Sequence, residues 1–339
     1  MEENHDTLDN NYDIIKSLDE GESSRVYSVT NMINNNEYIA LARIDNSQYY
    51  FQHELQMTTM ASGLNHHNII HLVGNGTGTL LYHGNTFNNV NYFILESCPR
   101  GELIDYVEYG RFTERQAKYI FRKILLGVQA LHGAGYCHRN LKLNNILLDQ
   151  NFNPKIFNFK FTTQFQQNNQ PILLDNFIAS PHYASPQILL HKPYNGEKAD
   201  IFSLGVILFL LVTGTFGFEC ANRTDEFYSK ICKGDEEYWE FFKYKSLHIT
   251  ENFKNLYISM VNYQENNRPN IAQVLNHHWF DEINNLNNHE LGQLELEVRN
   301  EFQNRFNHII QQNLILNNNP NNANNNNDNI NNNNDINDN

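Results

Sequence analysis

The chain has 339 residues, 40% of them apolar, with 24 Lys and Arg against 38 Asp and Glu and a formal net charge of −14. That length fits one large two-lobed domain or two small ones, and the apolar share is enough for a substantial core. The acidic balance excludes nucleic acid and an anionic membrane surface as partners, because both need clustered Lys and Arg. Cys98, Cys137, Cys220 and Cys232 form no CxxC pair, so reduced thiols are expected rather than disulfides or zinc. The polar, acidic start MEENHDTLDNN has no apolar signal region, which predicts an intracellular, cytoplasmic protein.

Residues 1–11 are read as a flexible N-terminus. Residues 12–45 alternate and break as strands do: YDIIKSL, a turn at Gly21, RVYSV, a turn through Asn34–Asn36, then YIALARI. A helix is expected over 50–62 and another strand at Phe93–Leu95. Thr113 and Gln116 have capping-box spacing, and Ala117, Ile120, Phe121, Ile124, Leu125, Val128 and Leu131 follow at helical period, with Gly133 and Gly135 as the stop. After His138 come two short strands and a long loop to Pro186.

Ile201–Phe218 is nearly long enough to span a bilayer. It follows Asp200 directly, lacks basic flanks and carries Ser203 and Thr213, so it is read as the buried core helix. Further helices run to Phe280. A small sheet followed by helices is an α+β arrangement with two unequal lobes. In the helical extension 281–316, Leu291, Leu294, Val298, Phe302, Phe306 and Ile309 mark one face, expected to pack on the domain. The Asn-rich tail 317–339 cannot bury enough apolar area to order itself and is expected to be disordered.

Taken in order, LDEGESSRV (18–26), IALARI (39–44), HELQMTTM (53–60), FILESCPRGEL (93–103), HRNLKLNN (138–145), FNFK (157–160), HYASPQ (182–187), ADIFSLG (199–205), NNRPN (266–270) and HHWF (277–280) resemble the motifs of a eukaryotic serine/threonine protein kinase. The spellings HYASP and HHWF lean toward the calmodulin-dependent and AMP-activated group. The resemblance covers 12–280. It implies a two-lobed kinase fold: a small N-lobe of antiparallel sheet plus helix C (about 12–95), a hinge at 96–98 and a larger, mainly helical C-lobe (99–280).

The departures fall on the chemistry. Asn140 stands where the family's aspartate handles the substrate hydroxyl, and a carboxamide has neither the charge nor the basicity for it. Asn158 replaces the metal-binding aspartate, Lys160 the glycine two residues on, and Ala42 the nucleotide lysine. With Ala40 and Ala42 lining the cleft, strand alternation turns Arg43 away from it. Of the phosphate-loop glycines only Gly21 remains, while Asp19 and Glu22 bring negative charge toward a nucleotide.

The resemblance leaves a vestigial ATP cleft of Leu18, Gly21, Val26, Ala40, Leu95 as gatekeeper, Glu96 and Cys98 in the hinge, Glu102, Lys142, Asn145 and Leu147. In it Val26, Ala40, Leu103 and Leu147 would sandwich the adenine. Glu54 matches the helix C glutamate, Asp200 would brace the His138–Arg139 loop, and Arg268 would meet Gln187 in place of a glutamate. Asn176 occupies the position of an activating phosphothreonine, with Asp175 as a fixed substitute facing Arg139.

The expectation is an inactive kinase, with no catalytic residue, no metal site and no resident cofactor; ATP binding is weak or absent and Mg²⁺ is not expected. Its role would be that of a scaffold or allosteric regulator binding other proteins, an active kinase among them. Alternatives are a weak, atypical ATP-dependent phosphotransferase and a metal-independent nucleotide switch. The partner and the oligomeric state stay open.

Overall fold

The computed structural model describes residues 6–20, 24–43, 48–168, 170–178, 180–244 and 249–317. Gly21, Glu22 and the tail 318–339 lie outside the described residues. In chain order the elements are β1 (Thr7–Leu8), β2 (Tyr12–Glu20), β3 (Ser24–Asn31), β4 (Glu37–Arg43), α1 (Gln48–Gly63), β5 (Leu72–Tyr82), β6 (Asn85–Glu96), α2 (Leu103–Tyr109), α3 (Glu114–Gly133) and β7 (Tyr136–Cys137). There follow β8 (Ile146–Leu148), β9 (Pro154–Ile156), β10 (Thr163–Gln164), β11 (Gln166–Gln167), β12 (Gln170–Pro171), β13 (Leu173–Leu174), α4 (Pro186–Leu189) and β14 (Tyr194–Asn195). The remainder is helical: α5 (Gly196–Thr213), α6 (Glu226–Lys233), α7 (Glu237–Tyr244), α8 (Glu251–Met260), α9 (Ile271–Leu275), α10 (Asp281–Asn284) and α11 (Asn288–Asn317). Sheet first and helices second is the α+β order read from the sequence.

The chain divides into two compact units, Met1–Gly101 with Leu147–Lys160, and Glu102–Ile146 with Phe161–Asn339. The sequence reading divides the lobes at 96–98 and leaves 147–160 in the second. The contacts of that stretch explain the difference. Ile156 bridges Ile69, Asn68 Nδ2 donates to Pro154 O at 2.8 Å, and Leu148 N donates to Gly101 O at 2.9 Å.

In the first unit six antiparallel strands close into a barrel in the order β1-β2-β3-β4-β6-β5. Neither β1 nor the long β5 was foreseen. Leu8, Tyr27, Val29, Ala40, Ala42, Leu80, Tyr92 and Ile94 fill its interior. Strand β5 carries Gly76 and Gly78 because larger residues would collide there. A Cβ on Gly76 would sit 2.6 Å from the Tyr92 hydroxyl, and one on Gly78 would overlap the Asp9 carboxylate. Those two groups hydrogen-bond each other, Tyr92 Oη donating to Asp9 Oδ2 at 2.7 Å.

In the second unit α3 begins with the expected capping box, Gln116 N donating to Thr113 Oγ1 and Thr113 N to Gln116 Oε1. Helix α5 is buried on nearly every side, which accounts for its uninterrupted apolar run. Its limits differ from the reading Ile201–Phe218. Asn195 caps it five residues before Asp200 through Lys198 N, and Gly214, at φ 72°, ends it in the left-handed conformation that glycine tolerates. Among the described residues no helix is long and apolar enough to cross a membrane. Helix α11 docks its predicted face, with Leu294, Val298 and Phe302 buried and packing against α2 and α3.

Candidate functional site

Strand pairing decides which side chains share a face. Val26 stands opposite Leu41 and Tyr27 opposite Ala40, while Leu41 pairs with Phe93 and Ile39 with Leu95. Opposed residues project to the same side, so Val26, Ile39, Leu41, Arg43, Phe93 and Leu95 make one face of the sheet. Ala40 and Ala42 make the other, inside the barrel with Tyr27 and Tyr92. Two expectations are thereby corrected. Val26 and Ala40 lie on opposite faces and cannot sandwich one ring, and Arg43, not Ala42, shares the face of Val26 and Leu95. A shift of one residue along a strand exchanges all its side chains between faces.

Helix α1 covers that face. Its buried positions Phe51, Glu54, Met57, Thr58 and Ala61 recur at helical spacing, and the Phe51 ring meets Phe93 at 6.0 Å between centroids. Arg43 and Glu54, each 3% exposed, therefore lie on the two surfaces of one layer, and neither lacks a partner. Buried charges of opposite sign in an apolar layer are tolerated when they are paired and hydrogen-bonded.

The other first-unit candidates are dispersed. Leu18 is half exposed, at the irregularity between the pairs Ser17–Tyr27 and Asp19–Val26. Leu95, Cys98 and Leu147 are buried, and burial pushes the Cys98 thiol well above its usual range. Glu96 turns its carboxylate to Lys155, at 2.9 and 3.0 Å, and to His71 N at 2.8 Å. Asn158, at φ 67°, and Lys160 are half-buried and both engaged. The one acid of the His138–Lys160 stretch, Asp149, accepts from Asn151 N and Asn153 N on Oδ1 and from Asn153 Nδ2 on Oδ2.

The second unit holds the catalytic-loop positions on a firm frame. Asp200 accepts from His138 N at 2.7 Å and Arg139 N at 2.8 Å, as the resemblance implies, and its Oδ2 also lies 2.8 Å from His132 Nε2. His132 was not foreseen; its place on α3, where only apolar positions were tracked, hid it. Arg139 sits at φ 67°, and its guanidinium donates to Tyr194 Oη, Phe161 O and Asn176 O. Asp175 is exposed and plays no part in this, which corrects the expected acidic substitute.

Asn145 Nδ2 donates to the main-chain carbonyl of Asn140 at 2.7 Å, and Asn140 N to His138 Nδ1 at 3.2 Å. Glu102 accepts from Asn144 at 3.0 Å, and Lys142 is half-buried. Arg268 meets Gln187 Oε1 at 2.6 Å and two carbonyls, of Asn262 and Lys198. Burial pulls its pKa down to about 10, so it stays cationic at neutral pH. The loop 138–145 thus offers three carboxamides (Asn140, Asn144 and Asn145), one lysine and no carboxylate of its own, the Asp200 carboxylate being committed to its backbone.

A family model described as a protein kinase domain matches residues 12–280. The rice protein "CBL-interacting protein kinase 5" is 30% identical over 280 residues, 83% of this chain and 58% of its own length. The Dictyostelium discoideum "Probable serine/threonine-protein kinase MARK-B" is 32% identical over 273 residues, 79% of this chain and 36% of that one. The Arabidopsis thaliana "CBL-interacting serine/threonine-protein kinase 13" is 30% identical over 274 residues, 79% and 51%. The chain thus spans between 36% and 58% of the length of these relatives.

Proposed function

Because the chain belongs to the protein kinase family, matched over residues 12–280, we propose that it is a kinase-shaped protein that performs little or no phosphoryl transfer and acts by binding other proteins. The observation that carries this reading is the pair of carboxamides, Asn140 and Asn158, at the two positions where the family works with carboxylates. Removing a proton-handling group, or a group that stabilises transition-state charge, each costs about 10²–10⁴ in rate. Such losses do not add, but either one leaves a poor catalyst. Mg²⁺ fares no better, since a hard cation prefers charged oxygens and Asn158, at the family's metal position, offers a neutral one. The kept frame (Asp200, Arg139, Arg268) supports a molecule valued for its shape.

A second reading, a metal-independent nucleotide switch, gains from one observation. Arg43 lies on the same face as Val26, Leu41 and Leu95, so the sheet keeps a cation where the sequence reading had none. Thermal unfolding of the full chain with ATP, once in Mg²⁺ and once in EDTA, separates the readings, because a ligand of the folded state raises the midpoint. No shift in either buffer leaves the protein-binding reading alone. A shift that survives EDTA and disappears in Arg43→Ala establishes the switch. A Mg²⁺-dependent shift accompanied by turnover overturns both.

A further inference from the structure

A cavity of about 170 Å³, several times the roughly 30 Å³ share of one water, opens on the first unit away from the sheet face under α1. It is lined by Ser62 at the end of α1, His66, His67 and His71 of the following loop, Glu96 at the end of β6 and Lys155 of β9. These three imidazoles within six residues and the lysine are not among the motifs that carry the family resemblance.

A backbone donor assigns the His66 tautomer. His66 Nδ1 accepts from Asn68 N at 3.1 Å, so its proton resides on Nε2. Ser62 Oγ accepts from Leu72 N at 2.9 Å and lies 3.0 Å from His71 Nδ1, to which its own proton is available. With the Ser62 proton so placed, His71 is also an Nε2–H donor. Lys155 gives two of its three protons to Glu96, whose two oxygens already take Lys155 and His71 N. The carboxylate is balanced by the ammonium, and the donors left over are ring N–H groups and one ammonium proton. A metal ion does not suit this cluster: among the described residues no group of His, Cys, Asp and Glu is arranged to hold one.

We propose that this cavity binds a phosphate monoester or inorganic phosphate, held by the Nε2–H groups of His66 and His71 and by the Lys155 ammonium. A dianion with several acceptor oxygens matches donors supplied by three separate side chains. Burial, His67 and Lys155 lower the pKa of His66, which favours the neutral ring that accepts from Asn68 N on Nδ1 and keeps Nε2–H as a donor. The charged and titratable groups lining the cavity are His66, His67, His71, Glu96 and Lys155.

The test follows the imidazole nitrogens of the full-length protein by NMR during titration with inorganic phosphate, and separately with a phosphoserine tripeptide, at constant ionic strength. Saturable shifts of the His66 and His71 ring nitrogens are expected at fixed pH. Binding, followed in the variant by the His67 ring that also lines the cavity and by the phosphorus resonance of the ligand, should be lost in His66→Gln/His71→Gln of unchanged thermal midpoint. If that double variant is unstable, His71→Gln alone, whose ring is exposed, should still weaken binding. Tighter binding of the tripeptide identifies a phosphorylated protein segment as the source, and tighter binding of inorganic phosphate identifies the free anion. No saturable shift with either ligand, or equal binding by a folded variant, overturns the proposal.

Discussion

Ala42 and Arg43 are neighbours in β4 that finish on opposite sides of one sheet, Ala42 fully buried inside the barrel and Arg43 beneath α1 with 3% of its surface exposed. Restoring a lysine at Ala42 should therefore damage the protein. The ammonium would enter a layer of Tyr27, Tyr92 and Ile94, and an unpaired buried charge costs several kcal/mol. Urea denaturation of Ala42→Lys should show a large loss of stability with no gain in ATP affinity. A stable, ATP-binding Ala42→Lys would mean that the strand is out of register by one.

The same pair shows where sequence reading stopped. Alternation in YIALARI announced the strand, but Ala-Leu-Ala is apolar on both faces, so nothing local says which face meets α1. The partners Val26 and Leu41 settle it, and pairing is a long-range fact. Helices were easier to read. The capping box at Thr113 and the spacing from Ala117 to Leu131 are local and gave α3 nearly residue by residue. By contrast β5 escaped because LVGNGTGTLLY puts glycines at the barrel-facing positions, where apolar residues usually mark a strand.

The short strand β1 is fastened by Asp9. Tyr92→Phe should cost about 1–2 kcal/mol, since the lost hydrogen bond is made to a carboxylate. The pH dependence has a definite sign. Burial and Asp9 raise the Tyr92 pKa, so the folded state holds the proton that the unfolded chain releases near pH 10. The contribution is thus complete below about pH 10 and declines above it. Denaturation at pH 8 and pH 11 should show the wild-type advantage over Tyr92→Phe shrinking at the higher pH; a growing advantage contradicts the assignment.

Gln187 serves Arg268 and Tyr263 together, accepting from the guanidinium at 2.6 Å and donating to Tyr263 O at 2.8 Å. Gln187→Glu gains a charge for the cation and loses the donor to the carbonyl. The two effects oppose each other, so less than about 1 kcal/mol of net gain is expected. Gln187→Met removes both and should cost about 2–4 kcal/mol. Equal stability of the Met variant in chemical denaturation would show that Gln187 carries no weight here.

Arg305 locks α11 to the second unit. Its guanidinium, 4% exposed, donates to the carbonyls of Tyr106, Gly110 and Arg111, pairs with Glu301 at 2.7 Å and lies 3.8 Å from the Phe112 ring centroid. A single ammonium cannot reproduce that fork, so Arg305→Lys should fail almost as badly as Arg305→Met, each costing about 3 kcal/mol or more. Because α11 lies beyond the matched kinase segment 12–280, the loss should appear first as local release. Hydrogen exchange should quicken along 294–306 while α3 and α5 stay protected. If α5 exchanges in step with α11, the helix is part of the unit's cooperative core, and the lock is structural for the whole second unit.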